Sequence, residues 1–96
     1  MEKSRSYSGL FIISPEKQEE LSSITDGIKN VISENSGNVV NENMMGKRSL
    51  AYPINNKEEG VYYDLTFTAL PGSISKILKL FRINTDILRT LIDKAE

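Results

Sequence analysis

Two adjacent basic residues near the middle of the chain are the side chains best suited to bind a ligand. Lys47 and Arg48 follow Gly46 and lead into the apolar segment Leu-Ala-Tyr-Pro-Ile at 50–54. Lysine and arginine bind phosphate groups, and such contacts position a protein on a nucleic acid without reading its sequence. An apolar strip beside them suits a protein partner. The same segment also fits an edge strand with a solvated charged pair, so the pattern alone leaves both interpretations open.

The absence of two residue types excludes most forms of catalysis. The chain contains neither cysteine nor histidine, which excludes disulfides, thiolate and imidazole metal ligands, nucleophilic triads and a histidine general base. The acidic residues of the predicted first helix and first hairpin turn lack metal-ligand spacing and are predicted to be solvated. They are Glu16, Glu19, Glu20, Asp26, Glu58 and Glu59. We therefore predict a protein with no enzymatic activity, cofactor, metal or small-molecule substrate.

Length and charge narrow the class of protein further. The chain has 96 residues, of which 39% are hydrophobic and 26% charged, with a net charge of −1. These values predict one globular domain over residues 1–96. A net charge near zero means that RNA binding would need a local basic patch or a partner that shares the contact. No apolar run approaches the roughly 20 residues of a membrane span, and no signal peptide is recognisable, so we expect an intracellular protein without a membrane partner.

The first half of the chain predicts strand, helix and strand. Residues 7–13 are apolar and β-branched or aromatic, as in a strand. A helix is predicted to begin at Ser14-Pro15-Glu16 and to end at Gly37 in a left-handed cap. Its apolar face recurs at three- and four-residue steps and consists of Leu21, Ile24, Ile28, Val31 and Ile32. Lys29 is expected to be solvated. Residues 38–54 then form a long irregular strand, with a bulge at Gly46 and an edge position for Pro53.

The second half repeats the pattern in the order strand, helix, strand. After a turn at 55–60, apolar and polar residues alternate from Val61 to Ala69. A second helix follows 71–73, and its apolar face consists of Ile74, Ile77, Leu78 and Phe81. A last strand covers 87–92, with the final four residues frayed. The order βαββαβ predicts an α+β fold of the ferredoxin-like split βαβ type: a four-stranded antiparallel sheet with both helices on one face. The other face is left for solvent or a partner.

Three segments together resemble the small-subunit ribosomal protein S-six family of bacterial type. The mid-chain run matches the family signature at Gly46, Lys47, Arg48, Leu50, Ala51, Tyr52, Pro53 and Ile54. Arg5 and Tyr7 match an Arg-x-Tyr opening of the first strand. The exit from the second helix matches at Phe81, Arg82, Asn84, Ile87, Leu88 and Arg89. The chain departs from the family at Ser8, where glutamate is usual, and at Ser49, where a larger polar residue is common.

The resemblance implies a structural component of the small ribosomal subunit in the cytoplasm, or in an organelle. Such a protein binds the central domain of small-subunit ribosomal RNA together with the basic S-eighteen-type ribosomal protein, which would supply charge that this chain lacks. The RNA contacts predicted from the resemblance are Arg5, Lys47, Arg48, Arg82 and Arg89. The predicted partner surface consists of Met44, Met45, Leu50 and Tyr52.

The same topology serves other functions, and three alternatives remain. A single-strand RNA-binding module of the RNA-recognition type would stack bases on tyrosines exposed on the sheet. The tyrosines considered for this role are Tyr7, Tyr52, Tyr62 and Tyr63, of which Tyr63 aligns with the buried face of its strand and is expected to pack in the core. An acylphosphatase-like enzyme needs a basic, glycine-rich loop after the first strand, where this chain has Ser14-Pro15-Glu16. A regulatory dimer that binds a small molecule would pair sheet edges.

Overall fold

The described part of the chain contains four strands and two α-helices in the order β-α-β-β-α-β. A computed structural model describes residues 3–54 and 57–95. The elements are β1 at Arg5–Ile13, α1 at Leu21–Glu34, β2 at Asn38–Ile54, β3 at Lys57–Ala69, α2 at Ile74–Arg82 and β4 at Ile87–Lys94. None of the helices in these described ranges is long and apolar enough to cross a membrane.

The strands form one antiparallel sheet in the order β2-β3-β1-β4. The central strands β1 and β3 pair continuously from Arg5 opposite Ala69 to Ile13 opposite Val61. The strands β2 and β4 therefore form the two edges. Both helices cover one side of this sheet, and the predicted α+β fold is confirmed.

Alternation along the central strands separates a helix face from an open face of the sheet. On the helix face, Phe11, Tyr63 and Phe67 are at most 2% exposed, and they pack with the apolar faces of α1 and α2. Ile77 and Phe81 are the α2 residues buried there. The open face carries the intervening residues, because successive side chains of a strand point to opposite sides.

The start of α1 differs from the prediction. Residues Pro15–Glu20 form a 3-10 helix with a kink at Lys17, and the α-helix begins only at Leu21. Ser14 makes no side-chain cap. Its side chain is buried, and its backbone N–H donates to the carbonyl of Asp86 at 2.9 Å. Ser14 thus joins the end of β1 to the loop before β4 through its backbone, and the predicted side-chain cap is not formed.

The end of α1 also differs, because Ser36 and not Gly37 adopts a left-handed conformation, with φ of 66°. The N–H of Gly37 donates to the carbonyl of Ile32 at 2.9 Å. A Cβ atom at position 37 would lie 2.7 Å from that carbonyl oxygen and 3.1 Å from the carbonyl oxygen of Thr68. A glycine is required here for close approach of the backbone.

The predicted details of the two edge strands are partly confirmed and partly wrong. The predicted bulge in β2 is confirmed at Gly46, where φ is 91° and the register against β3 shifts. The predicted turn is shorter than expected, because 57–60 belong to β3; Asn55 and Asn56 lie outside the described residues. The prediction of a frayed C-terminus is wrong for 93–95, because β4 runs to Lys94 and the N–H of Ala95 donates to the carbonyl of Ser6 at 3.0 Å.

Candidate nucleic-acid and partner interface

The two adjacent mid-chain cations lie on opposite sides of the sheet. Lys47 pairs with Val61 of the helix face, and Arg48 pairs with Gly60 of the open face. The Lys47 ammonium lies 3.8 Å from the Glu59 carboxylate, so its charge is partly compensated within the protein. Because Lys47 and Arg48 lie on opposite sides of the sheet, they do not form one phosphate-binding site together.

Two other predicted RNA contacts flank the loop between α2 and β4. Arg82 is the exposed last residue of α2, and Arg89 is an exposed residue of β4 opposite Ile12. The loop is held by the side-chain oxygen of Asn84, which accepts a hydrogen bond from the Asp86 N–H at 2.9 Å. This turn sets how α2 and β4 follow one another. Arg82 and Arg89 therefore lie at the same end of the sheet, on its two different sides.

The fifth predicted contact lies at the opposite end of the sheet. Arg5 begins β1 opposite Ala69, seven positions before Ile12. At about 3.3 Å per residue, this separation is roughly 23 Å. The five predicted RNA contacts thus do not form one cluster, and Arg5 would bind a different part of an RNA from that bound by Arg89.

The predicted partner residues lie along the β2 edge and its extension beyond β1. Tyr52 is 64% exposed and Met44 is 43% exposed, whereas Met45 and Leu50 are half-buried. Val40, which sequence reasoning missed, adds a further exposed apolar side chain to β2 at 62%. Exposed methionine and aromatic side chains on an unpaired strand edge suit a protein partner.

A groove on the open face connects this surface to Arg89. Its volume is about 120 Å³, and it is lined by Ile12, Leu50, Ala51, Tyr52, Ile54, Tyr62 and Arg89. A larger cavity of about 400 Å³ lies beside it, with Tyr52, Glu58 and Glu59 in its wall. The β2–β3 hairpin therefore presents apolar, aromatic and acidic groups side by side.

The tyrosines are placed unfavourably for a base-stacking surface. Tyr7 and Tyr63 are 5% and 2% exposed and lie in the core. Of the residues of the central strands β1 and β3, Tyr62 is the one aromatic on the open face, and it stands beside Ile12 of β1. Recognition of single-stranded RNA on such a sheet uses two or three stacked bases, so this face offers less than that mode requires.

An interaction that sequence reasoning missed ties α1 to the β2 edge. The Tyr63 hydroxyl donates to Glu42 Oε2 at 2.8 Å, and the Lys29 ammonium lies 2.9 Å from the same oxygen. The hydrogen bond from Lys29, then that from Tyr63, lowers the pKa of Glu42. Burial and the bond to Glu42 raise the pKa of Tyr63. Lys29 was predicted to be solvated; its side chain is 34% exposed and in addition forms this ion pair. A buried tyrosine needs a partner for its hydroxyl, so the predicted burial of Tyr63 indicated that a polar side chain would pair with it.

Metal binding finds no support in the described ranges 3–54 and 57–95. They contain no group of three or more acidic side chains close enough to hold an ion.

Comparison with known proteins decides the family. The family described as ribosomal protein S6 matches residues 6–94. The chain belongs to the ribosomal protein S6 family. Proteins of this family are structural components of ribosomes and not enzymes, so the predicted absence of enzymatic activity is confirmed.

Bacterial relatives match almost the whole chain. The small ribosomal subunit protein bS6 of Caldanaerobacter subterraneus subsp. tengcongensis is 36% identical, over 96% of this chain and 98% of its own length. The bS6 protein of Exiguobacterium sibiricum is 39% identical over the same shares. These relatives support the predicted cytoplasmic location in the small subunit.

Solved structures agree with the family. The 30S ribosomal protein S6 of Thermotoga maritima has a TM-score of 0.89 and 28% identity, covering 96% of this chain and 88% of that one. The C-terminal domain of the MgtC protein from Mycobacterium tuberculosis, at a TM-score of 0.60 and 9% identity, shares the fold alone. The same fold thus occurs outside the ribosomal family, and the family match rests on sequence.

Proposed function

We propose that this protein binds the central domain of small-subunit ribosomal RNA jointly with an S-eighteen-type ribosomal protein, as a structural constituent of the small subunit. Relatives that match nearly the full chain are named small ribosomal subunit protein bS6. The observation that supports the joint mechanism is that the two edges of the sheet expose different groups. The β2 edge exposes Val40, Met44 and Tyr52 beside the cation Arg48. The other edge, formed by α2 and β4, exposes the cations Lys76, Lys79, Arg82 and Arg89 together with Ile83 and Leu91.

The partner surface is the β2 edge with its hairpin extension. Tyr52 and Met44 supply exposed apolar area, and Leu50 and Met45 extend the surface beside them. Glu58 and Glu59 are exposed next to Tyr52, which complements a basic partner. Large aromatic anchors surrounded by polar groups carry most of the binding energy of protein interfaces.

The proposed RNA contacts differ in whether a carboxylate of the protein pairs with them. Within residues 3–54 and 57–95, Arg48, Arg82 and Arg89 are exposed and form no ion pair, so their full charge is available to phosphates. Lys47 faces Glu59 and would have to exchange that carboxylate for a phosphate. Arg5 stays in the predicted set as a separate contact at the far end of the sheet. A basic partner would add the remaining positive charge.

The test measures retention on filters of a central-domain fragment of small-subunit ribosomal RNA, with this protein alone, with the S-eighteen-type protein alone and with both. We expect tight retention only with both proteins, and weaker retention at 200 mM than at 50 mM salt. Equal binding to any short single strand without the partner would instead support an RNA-recognition-type module. Absence of RNA binding in every arm would remove the proposed function.

A pair of variants tests the partner surface. Met44→Ala combined with Tyr52→Ala removes exposed apolar side chains from the β2 side of the molecule. We expect joint RNA binding to weaken about tenfold or more, because truncation of a hot-spot residue costs about 2 kcal/mol or more and about 1.4 kcal/mol corresponds to tenfold in affinity. Leu91→Ala is the control, because Leu91 is 44% exposed but lies on the opposite edge strand. Equal losses in both variants would contradict the assignment of the partner to β2.

A further inference from the structure

The exposed face of α2 carries three cations in one line. Lys76, Lys79 and Arg82 recur at three-residue steps and are all exposed, while Ile77 and Phe81 of the same helix are buried in the core. Residues three apart on a helix are neighbours on its surface. The three side chains therefore form one continuous surface, here named the α2 basic stripe.

Ion pairing distinguishes this stripe from four other lysines of the chain. Lys17, Lys29, Lys47 and Lys57 each lie within ion-pair distance of a carboxylate. In the parts of the chain that the structure describes, no member of the stripe has such a partner, and α2 contains no acidic residue. Asp86, the acid that follows α2 in the chain, is 3.8 Å from Lys17. The positive charge of the stripe is therefore uncompensated.

Stability of the helix does not explain the stripe. The helix dipole favours cations in the last turn, which accounts for Lys79 and Arg82. It disfavours Lys76, which is the third residue of α2 and lies in its first turn. Like charges at three-residue spacing also repel one another. A polyanion at this surface would compensate both unfavourable terms.

The stripe lies away from the proposed partner surface. The helix α2 packs against β4, whereas α1 packs against β2, and β2 and β4 are opposite edges of the sheet. Between Ile74 and Lys94 the chain has five basic and two acidic residues, although its net charge is −1. A partner on β2 would leave this basic region accessible.

We propose that the α2 basic stripe binds backbone phosphates of ribosomal RNA, as a contact surface additional to Arg89 on the open face of the sheet. The inference rests on the proposed function, because it names a further RNA-contacting surface for the same assembly. Lysines bind phosphate as point charges and add affinity without reading bases. The stripe should therefore contribute a salt-sensitive, sequence-independent share of RNA binding.

The experiment measures the salt dependence of joint binding to the central-domain RNA fragment, with the full chain and the S-eighteen-type partner. Lys76→Gln combined with Lys79→Gln should reduce the slope of log affinity against log salt concentration by about 2, at about one per phosphate contact. The affinity lost between 50 and 200 mM salt should become about tenfold smaller, because a slope of about 0.9 per contact applies over a fourfold salt range.

The control removes the same net charge from paired positions. Lys17→Gln combined with Lys57→Gln breaks exposed ion pairs with Asp86 and Glu16, which contribute little to stability. We expect this variant to keep the wild-type slope and affinity. Lys76→Arg combined with Lys79→Arg keeps the charges and should restore binding. Thermal unfolding of each variant verifies that it is folded.

Three results would overturn the inference, and they differ in what they leave standing. An unchanged slope for the glutamine variant, with normal wild-type binding, would show that the stripe does not bind RNA phosphates and would leave the proposed function intact. Absence of RNA binding by the wild-type proteins would refute both the role of the stripe and the proposed function. Weaker binding of the glutamine variant to the partner protein alone, without RNA, would make the stripe a protein contact and not a phosphate contact.

Discussion

Replacement of Gly37 by alanine should destabilise the protein although it changes the chain by one methyl group. The new Cβ atom would lie 2.7 Å from the carbonyl oxygen of Ile32 and 3.1 Å from that of Thr68. Both are backbone atoms, one in α1 and one in the central strand β3, so neither moves without shifting an element. Gly37 also donates its N–H to Ile32, which holds the chain in this close approach. The turn from α1 into β2 would have to open.

The magnitude follows from comparison with Gly27→Ala. Position 27 lies inside α1, and a Cβ there would meet nothing within 4 Å. Alanine in an exposed helix interior stabilises by about 0.5–1 kcal/mol relative to glycine. Forced overpacking costs about 1–3 kcal/mol. Both changes restrict the unfolded chain equally, so this gain cancels between them, and we expect the two variants to differ by the overpacking cost of about 1–3 kcal/mol.

The assay is thermal and urea unfolding of the wild type and of both variants in one buffer. For a domain of this size, 1 kcal/mol corresponds to about 4–8 °C in Tm, so the variants should differ by at least about 4 °C. Gly27→Ala should unfold above the wild type and Gly37→Ala below it. Equal shifts in the same direction would refute the reasoning, because the two substitutions would then differ only in backbone propensity.

Two further predictions concern the interactions that hold the elements in place. The hydrogen bond from Lys29 keeps the pKa of Glu42 below its usual 4.5, so its stabilising contribution is complete above that pH and lost as pH falls through the lowered value. Glu42→Gln should therefore flatten the acid limb of urea midpoints measured from pH 7 to pH 2, and an unchanged limb would contradict this. Ile77→Ala should cost about 2–5 kcal/mol, because it empties a fully buried site beneath α2; a loss under about 1 kcal/mol in urea unfolding would mean that the site collapses.

The types of the elements, their order and the resemblance to the family could be predicted from patterns within short segments of the sequence. Alternation from Val61 to Ala69 marks one buried face because a strand turns its side chains every second residue, and the structure buries that face. The four-residue spacing of Ile77 and Phe81 marked the buried face of α2, because side chains three or four residues apart lie on the same face of a helix. The run from Gly46 to Ile54 carried the resemblance to the ribosomal family, because it is a local motif. Each signal lies within a few neighbouring residues.

The surface that each charged side chain occupies could not be predicted from the sequence, because it depends on how separate elements pack together. The bulge at Gly46 inserts one residue into β2, and this shift places Lys47 on the helix face and Arg48 on the open face. The pairing of Lys29 with Glu42 joins residues on different elements. The unpaired state of the α2 basic stripe depends on which acids fold towards it. Sequence periodicity sets a face within one element, whereas register and ion pairing depend on how separate elements meet.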